Sequence, residues 1–218
     1  LFLFLVVSGT ENEAHVLVWL NGRIGMSEVD NVKIRQSWIE DETLKVEKAM
    51  GHDRDTSFLY LASSLILECQ PEDIDPADIV DGGFDKQIDL INVADDQYRG
   101  VATISIVQAK NHIGFESNIA IQMRNGLDWI FEQPRSEVEK LKNTRFKNKI
   151  LEVRELRSDY GSSNLEVFVY HVTVGDSAKT SDEYIGESKV LSDKYTNAGF
   201  GHFHFRTFDL TVLTPFID

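Results

Sequence analysis

The hydrophobic positions of the chain follow two different periods, one typical of helices and one typical of strands. Phe58, Leu61 and Leu65 recur at three- and four-residue intervals, so they share one face of a helix. The pattern predicts helices over residues 41–50, 57–68, 118–131, 136–156 and 182–197. It predicts strands over residues 1–7, 15–20, 88–93, 101–109, 165–174 and 202–210. From residue 57 onward, this order predicts an α/β fold with a mixed sheet flanked by helices.

The strands at 88–93 and 101–109 are joined by a connection too short for a crossover, so we expect an antiparallel hairpin. Side chains two residues apart on a strand share a face. Asp89 therefore lies in line with apolar residues of its strand, and Gln108 and Lys110 lie together on the partner strand. Polar groups on an apolar face are unfavourable unless they are paired or have a function, so these three are candidate site residues.

Asp89, Gln108 and Lys110 form a set suited to phosphodiester hydrolysis. The Asp89 carboxylate and the Gln108 carbonyl oxygen are hard ligands of the kind that Mg²⁺ prefers, with Mn²⁺ as a second candidate. A cation held there lowers the pKa of water and neutralises charge on a phosphate. The Lys110 ammonium is suited to orienting the attacking water or stabilising the pentavalent phosphorane.

A longer motif surrounds these residues. Residues 78–110 read DIVDGGFDKQIDLINVADDQYRGVATISIVQAK, in which an I-D strand start is followed by a short hairpin and a Q-x-K strand end. This pattern resembles the PD-(D/E)XK nuclease superfamily, and most closely its abortive-infection phage-resistance (AIPR) family. The resemblance implies a restriction-endonuclease-like sheet in a nuclease-like domain over residues 51–218. Residues 1–50 do not contribute to it and are expected to form a strand-rich extension.

The resemblance also assigns roles to individual residues. It implies that Asp89 and Gln108 bind the metal and that Lys110 is the catalytic lysine. Asp85 matches a preceding aspartate, although Asp85-Lys86-Gln87 stands where the family usually has Asp-Gly-Gly. The superfamily often adds an acid from the first helix, and both Asp55 and Glu68 are candidates, at opposite ends of that predicted helix.

The overall charge weighs against a protein that coats nucleic acid without regard to sequence. The net charge is −14, with 36 acidic and 22 basic residues, and such binding needs a basic surface. One basic tract stands out, and its candidate phosphate contacts are Lys140, Lys142, Arg145, Lys147 and Lys149. The alternative is a solvated helix face with Glu–Lys pairs three residues apart.

The sequence is therefore consistent with two functions. The first is a metal-dependent nuclease acting on DNA or RNA, in the phage-defence setting that the resemblance implies, with a homodimer as one arrangement. The second is a catalytically inactive nuclease-fold module that binds nucleic acid or a protein partner, which the acidic balance favours. The single cysteine, Cys69, fits a reducing compartment, and no apolar run is long enough to span a bilayer, so a cytoplasmic location without membrane contact is expected.

Overall fold

The structure, a computed structural model, describes residues 28–112, 118–176 and 180–214. Helices span α1 (Glu28–Met50), α2 (Arg54–Leu67), α3 (Asn118–Phe131), α4 (Arg135–Val138), α5 (Thr144–Tyr160), α6 (Asp182–Asn197) and α7 (Leu210–Leu213). Strands span β1 (Leu90–Asp96), β2 (Val101–Lys110), β3 (Leu165–Thr173) and β4 (His202–Phe208). The strands predicted over residues 1–7 and 15–20 lie outside the described residues.

The four strands form one sheet in the order β1-β2-β3-β4. β1 and β2 are antiparallel, as the short connection predicts, whereas β2 pairs with β3 and β3 with β4 in parallel. Each parallel pair is joined through helices, which is the connection that parallel strands require. The predicted mixed α/β sheet flanked by helices is therefore confirmed.

Each face of the sheet is covered by a separate hydrophobic cluster. On one face, Ile104, Ile106 and Val169 pack with buried residues of α3, α5 and α6. On the other, Val107 and Tyr170 pack with α1, α2 and α7. Because neighbouring positions of β2 enter opposite clusters, the register of the strand decides which side chains face each set of helices.

Helix α1 is longer than predicted. Only residues 41–50 were expected to be helical, because residues 25–47 are polar and show no clear period, yet the helix begins at Glu28. Its buried residues Ile39 and Val46 belong to the same cluster as Phe58 and Leu61 of α2. The helix therefore packs against α2 across residue 50, where the N-terminal extension was expected to end.

The single helix predicted over residues 136–156 is wrong, because the chain forms α4 and then α5. Asn143 separates the two helices. Its side chain accepts a hydrogen bond from the Phe146 N–H, 2.9 Å away, and caps α5. Its Nδ2 donates to the Val80 carbonyl at 2.8 Å. Asparagine favours such caps because its short side chain bonds to nearby backbone groups. The second bond attaches the α4–α5 connection to the segment that precedes β1.

Candidate metal centre

Three carboxylates meet in the segment that leads into β1. Oxygen atoms of Asp81, Asp85 and Asp89 all lie within 4.8 Å of one another. Asp81 is exposed, Asp85 is half-buried and Asp89 is buried. Asp85 and Asp89 were predicted metal ligands, whereas Asp81 was not predicted. The structure therefore supplies three hard oxygen donors from one stretch of chain.

Backbone hydrogen bonds hold this segment together around Asp89. The Asp89 carbonyl accepts from the N–H groups of Val80 at 2.9 Å and Asp81 at 3.0 Å. The Asp89 N–H donates to the Val107 carbonyl at 2.9 Å, and Asp89 Oδ2 accepts from the Ala109 N–H at 2.8 Å. Asp89 is thus fixed beside the end of β2, and the chain before it folds back so that Asp81 comes close.

Burial dominates the electrostatics of Asp89. It raises the pKa of this carboxyl from 3.8 to about 7, because removal from water disfavours the charged form. The positive charge of Lys110 and the Ala109 hydrogen bond oppose this rise, while the neighbouring charges of Asp81 and Asp85 add to it. A cation among the three carboxylates would relieve both their mutual repulsion and the penalty of a buried charge.

The loop between Asp81 and Asp89 has an unusual backbone. Phe84, Lys86 and Gln87 have φ angles of 69°, 60° and 65°, in the left-handed region. For residues other than glycine this conformation costs about 1–2 kcal/mol each. Asp85 offsets part of this cost, because its carboxylate accepts from the N–H of Gln87 at 2.8 Å and of Gly82 at 3.1 Å. The turn is therefore achieved here without the Asp-Gly-Gly sequence of the family it resembles.

Gln108 lies fully buried beside this loop. Its Nε2 donates to Gln87 Oε1 at 3.1 Å. Its Oε1 is buried without a hydrogen-bond partner among the described residues. A buried carbonyl oxygen without a partner is unfavourable by about 1–3 kcal/mol, so it is the kind of atom that a cation or a substrate group stabilises.

Lys110 is half-buried at the end of β2. Its charge lowers the pKa of Asp89 and also that of His171 on β3, so it acts on both groups. The structure therefore places Asp89, Gln108 and Lys110 at the same end of the hairpin.

The two helix acids are not part of this cluster. Asp55 and Glu68 are exposed, and neither belongs to the acidic group found among the described residues. Asp53 caps α2, since it accepts from the Thr56 N–H at 3.0 Å. Glu68 ends the same helix in a left-handed conformation. Asp81 provides the third carboxylate in their place.

His171 is a buried residue that the sequence did not single out. It is the register partner of Gln108, and its Nδ1 lies 2.7 Å from the Tyr184 hydroxyl. That hydroxyl lies 2.8 Å from Thr207 Oγ1 on β4. Burial lowers the pKa of His171 to about 4, and the charges of His112 and Lys110 act in the same direction. The imidazole is therefore neutral at ordinary pH.

The basic tract divides into two parts. Lys149 is largely buried and bonded to Asp78 at 2.6 Å and Glu152 at 2.8 Å, so it is not available to a phosphate. Lys140 and Lys142 are exposed in the α4–α5 connection, and Lys140 Nζ lies 2.6 Å from Glu137.

The first turn of α5 holds the remaining two residues of the tract. Arg145 is exposed there and Lys147 is half-buried. Only the part of the tract near the α4–α5 connection therefore combines exposure with a position next to the acidic segment.

Comparison with known proteins finds no matching family model, no matching curated protein and no matching solved structure. Among the described residues, none of the helices has the length and apolar character needed to cross a membrane.

Proposed function

We propose that this chain is a metal-dependent nuclease that hydrolyses phosphodiester bonds in nucleic acid. The observation that carries the proposal is the meeting of Asp81, Asp85 and Asp89 within 4.8 Å, beside the charge of Lys110. Carboxylates packed this closely repel one another unless a cation lies between them. Lys110 and the buried amide of Gln108 then complete a set of groups suited to a phosphate.

The donors fit Mg²⁺, with Mn²⁺ as a second candidate. Asp81, Asp85 and Asp89 would hold the ion through carboxylate oxygens, and Gln108 Oε1 offers a further oxygen that no described residue satisfies. Such an all-oxygen set is the one that hard divalent cations prefer. When bound, the ion supplies charge neutralisation at the phosphate and lowers the pKa of water.

Lys110 provides a positive charge beside the carboxylates. Its ammonium carries three hydrogen-bond donors, which can hold a water molecule in line with the phosphorus atom or stabilise the charge that builds up on the phosphoryl oxygens. Gln108 holds the loop through Gln87 and so maintains the position of Asp85. Lys110 and Gln108 therefore orient the reacting groups. The water oxygen forms a bond to phosphorus, and the bond from phosphorus to the leaving oxygen breaks.

A path for nucleic acid runs along the α4–α5 connection. The bond from Asn143 to the Val80 carbonyl holds this connection next to Asp81, and Lys142 projects over the ring of Phe84. The exposed ammonium group of Lys142 in this connection is a positive charge available to a phosphate on a chain with a net charge of −14. Such a local charge can guide a phosphate backbone to the site although the whole protein is acidic.

The biological setting is inferred from the resemblance to the AIPR family. That resemblance supports a role in phage defence and a cytoplasmic location, with a homodimer as one arrangement.

The test is cleavage of labelled DNA and RNA with Mg²⁺ or Mn²⁺, by wild type and by Asp89→Ala and Lys110→Ala. Cleavage should need the metal and should be lost in both variants. Asp73→Ala, which removes an exposed acid outside the cluster, is the matched control and should cut like wild type. Absence of metal-dependent cleavage in wild type, or cleavage that survives both site substitutions, would overturn the proposal.

The second candidate is an inactive nuclease-fold module that binds nucleic acid or a protein. Two observations favour it: the net charge of −14, and an amide at Gln108 where a carboxylate would bind the cation more strongly. Nucleic-acid binding that is unchanged by Mg²⁺, together with no cleavage, would support this candidate over the enzyme.

A further inference from the structure

Phe84 is exposed at the edge of the candidate metal centre. Its side chain is 58% exposed, and its φ angle of 69° is in the left-handed region. An exposed aromatic ring gains little from burial, and a left-handed backbone is unfavourable for a residue with a Cβ. Packing in the core therefore does not occupy this side chain, and the ring is available to a binding partner.

The place of Phe84 in the chain ties it to the carboxylates. It lies three residues after Asp81 and immediately before Asp85, within the loop that both acids anchor. The bonds that Asp85 accepts from Gly82 and Gln87 hold this loop in shape. The loop that carries Asp81 and Asp85 therefore also carries this exposed ring.

Two ammonium groups accompany aromatic rings at this loop. Lys142 Nζ lies 5.0 Å from the centroid of the Phe84 ring, and Lys86 Nζ lies 5.1 Å from that of Trp129 on α3. Lys142 is itself exposed. Alternating rings and positive charges form the type of surface that binds single-stranded nucleic acid, where bases stack and phosphates meet cations.

We propose that the substrate of the centre is single-stranded nucleic acid, and that an unpaired nucleobase beside the scissile phosphate stacks on Phe84 while Lys142 contacts a neighbouring phosphate. This rests on the proposed nuclease function. In a duplex the faces of the bases are already stacked, so a protein ring must first unstack a base step, whereas an unpaired base can stack on the ring without that cost. A single ring with an ammonium group also offers far less than the roughly 800 Å² per partner that a stable protein interface buries.

Binding without divalent ions tests this inference separately from cleavage. Fluorescence anisotropy would measure the Kd of an unstructured labelled oligonucleotide and of the same sequence as a duplex. The proteins are wild type, Phe84→Ala, Phe84→Leu and Phe84→Trp, in which leucine keeps an apolar side chain and tryptophan keeps a ring. Circular dichroism and thermal melting show that each variant is folded.

Wild type should bind the single strand more tightly than the duplex. Removal of one stacking ring should weaken single-strand binding by about tenfold in Phe84→Ala and Phe84→Leu, and should leave Phe84→Trp near wild type. Lys142→Ala should weaken binding and reduce its dependence on salt. Equal affinities of all three Phe84 variants for the single strand, or a preference for duplex, would overturn the inference. Retained affinity in Phe84→Leu alone would instead indicate a general apolar contact and would also overturn it.

The two proposals fail separately. A protein that binds the single strand through Phe84 but does not cut it with Mg²⁺ retains the stacking contact with Phe84 and loses the nuclease proposal. A protein that cuts equally well with and without the Phe84 ring retains the nuclease proposal and loses this inference.

Discussion

The side chain of Asp89 accepts a hydrogen bond from the backbone N–H of Ala109 at 2.8 Å, across the two strands of the hairpin. Ala109 stands between Gln108 and Lys110, so this one bond fixes the carboxylate beside both of the other predicted site residues. The bond also stabilises the charged form of a carboxyl that burial makes hard to ionise. Stability and pH are therefore linked at Asp89, and the proposed metal binding would be linked to both.

Asp89→Asn is expected to stabilise the metal-free protein at neutral and higher pH. The pKa of Asp89 is raised from 3.8 to about 7, so the folded state holds a proton that the unfolded state releases, and stability falls as pH rises between these values. The full loss is roughly 4 kcal/mol at 1.36 kcal/mol per pKa unit. Asparagine has no charge to desolvate and can still accept from Ala109. Urea unfolding at about pH 5 and pH 8 measures the difference.

Mg²⁺ should reverse the order of stability of wild type and Asp89→Asn. Addition of the ion at about pH 8 should raise the Tm of wild type, because binding to the folded state adds stability, and should not raise that of Asp89→Asn. A variant less stable than wild type in EDTA at the higher pH would contradict the burial argument. An equal metal response of both proteins would contradict the assignment of Asp89 as a ligand.

Lys149 and Lys142 should respond to substitution in opposite ways. Lys149→Ala leaves the buried Asp78 carboxylate without its ammonium partner, which should reduce stability by about 3 kcal/mol. Lys142→Ala removes an exposed side chain and should change stability by less than about 1 kcal/mol. Its effect should appear in binding, where the salt dependence falls by about one phosphate contact.

Chemical denaturation and oligonucleotide titration at several salt concentrations measure the two quantities on both variants. A loss of nucleic-acid affinity in folded Lys149→Ala comparable to that in Lys142→Ala would show that the ion pair with Asp78 does not remove Lys149 from the binding surface.

Gly126 allows the loop between Asp81 and Asp89 to pack closely on α3. A Cβ at this position would lie 2.6 Å from Ile88 Cγ1 and 2.8 Å from the Lys86 carbonyl oxygen, so Gly126→Ala must displace the loop. We expect a loss of about 2 kcal/mol, as for overpacked cores. The affinity for Mg²⁺ should also weaken, because Lys86 and Ile88 lie between Asp85 and Asp89.

Gly186→Ala is the matched control, since this glycine is also helical but a Cβ there meets no atom within 4 Å. That substitution should stabilise the protein by about 0.5–1 kcal/mol through helix propensity. Thermal melts and metal titrations of both variants measure the contrast. A Gly126→Ala protein with wild-type stability and metal affinity would show that α3 does not support the loop.

His171 should lower stability as the pH falls, which opposes the effect of Asp89 over the same pH range. Its pKa falls from 6.5 to about 4, so its neutral form is favoured in the folded state, and stability is lost as pH falls from about 6.5 toward 4. The loss is roughly 3 kcal/mol at 1.36 kcal/mol per pKa unit. His171→Gln should flatten this part of the profile, measured by urea unfolding. If the stability of folded His171→Gln falls with acid as steeply as that of wild type, the effect does not come from His171.

The sequence predicts most of the sheet because its strands carry strong local signals. The hairpin follows from two β-prone runs with a short turn, and it is observed as β1 and β2. The start of β1 was predicted two residues early, at Ile88. Left-handed backbone at Lys86 and Gln87 turns the chain there, and neither residue type signals this conformation in a sequence. The early part of α1 was missed because its polar residues show no helical period.

The residues of the candidate centre likewise fall into those that the sequence predicts and those that it does not. Asp89, Gln108 and Lys110 could be found because a two-residue period and a short motif relate them. Asp81 could not, since it reaches Asp89 through backbone bonds of an irregular loop rather than through any regular period. His171 lies 63 residues after Gln108 and meets it only through the parallel pairing of β2 with β3. The residues near either partner do not indicate which positions of two distant strands pair with each other.

The carboxylates of the candidate centre are close neighbours in the chain as well as in space. Asp81, Asp85 and Asp89 are each four residues apart, and Lys110 follows within the next hairpin. The entropy of bringing such groups together is that of closing short loops, which is small compared with gathering ligands from distant segments. Substitutions in α6 or β4 leave this spacing unchanged, so the three carboxylates stay together as one continuous stretch of the chain.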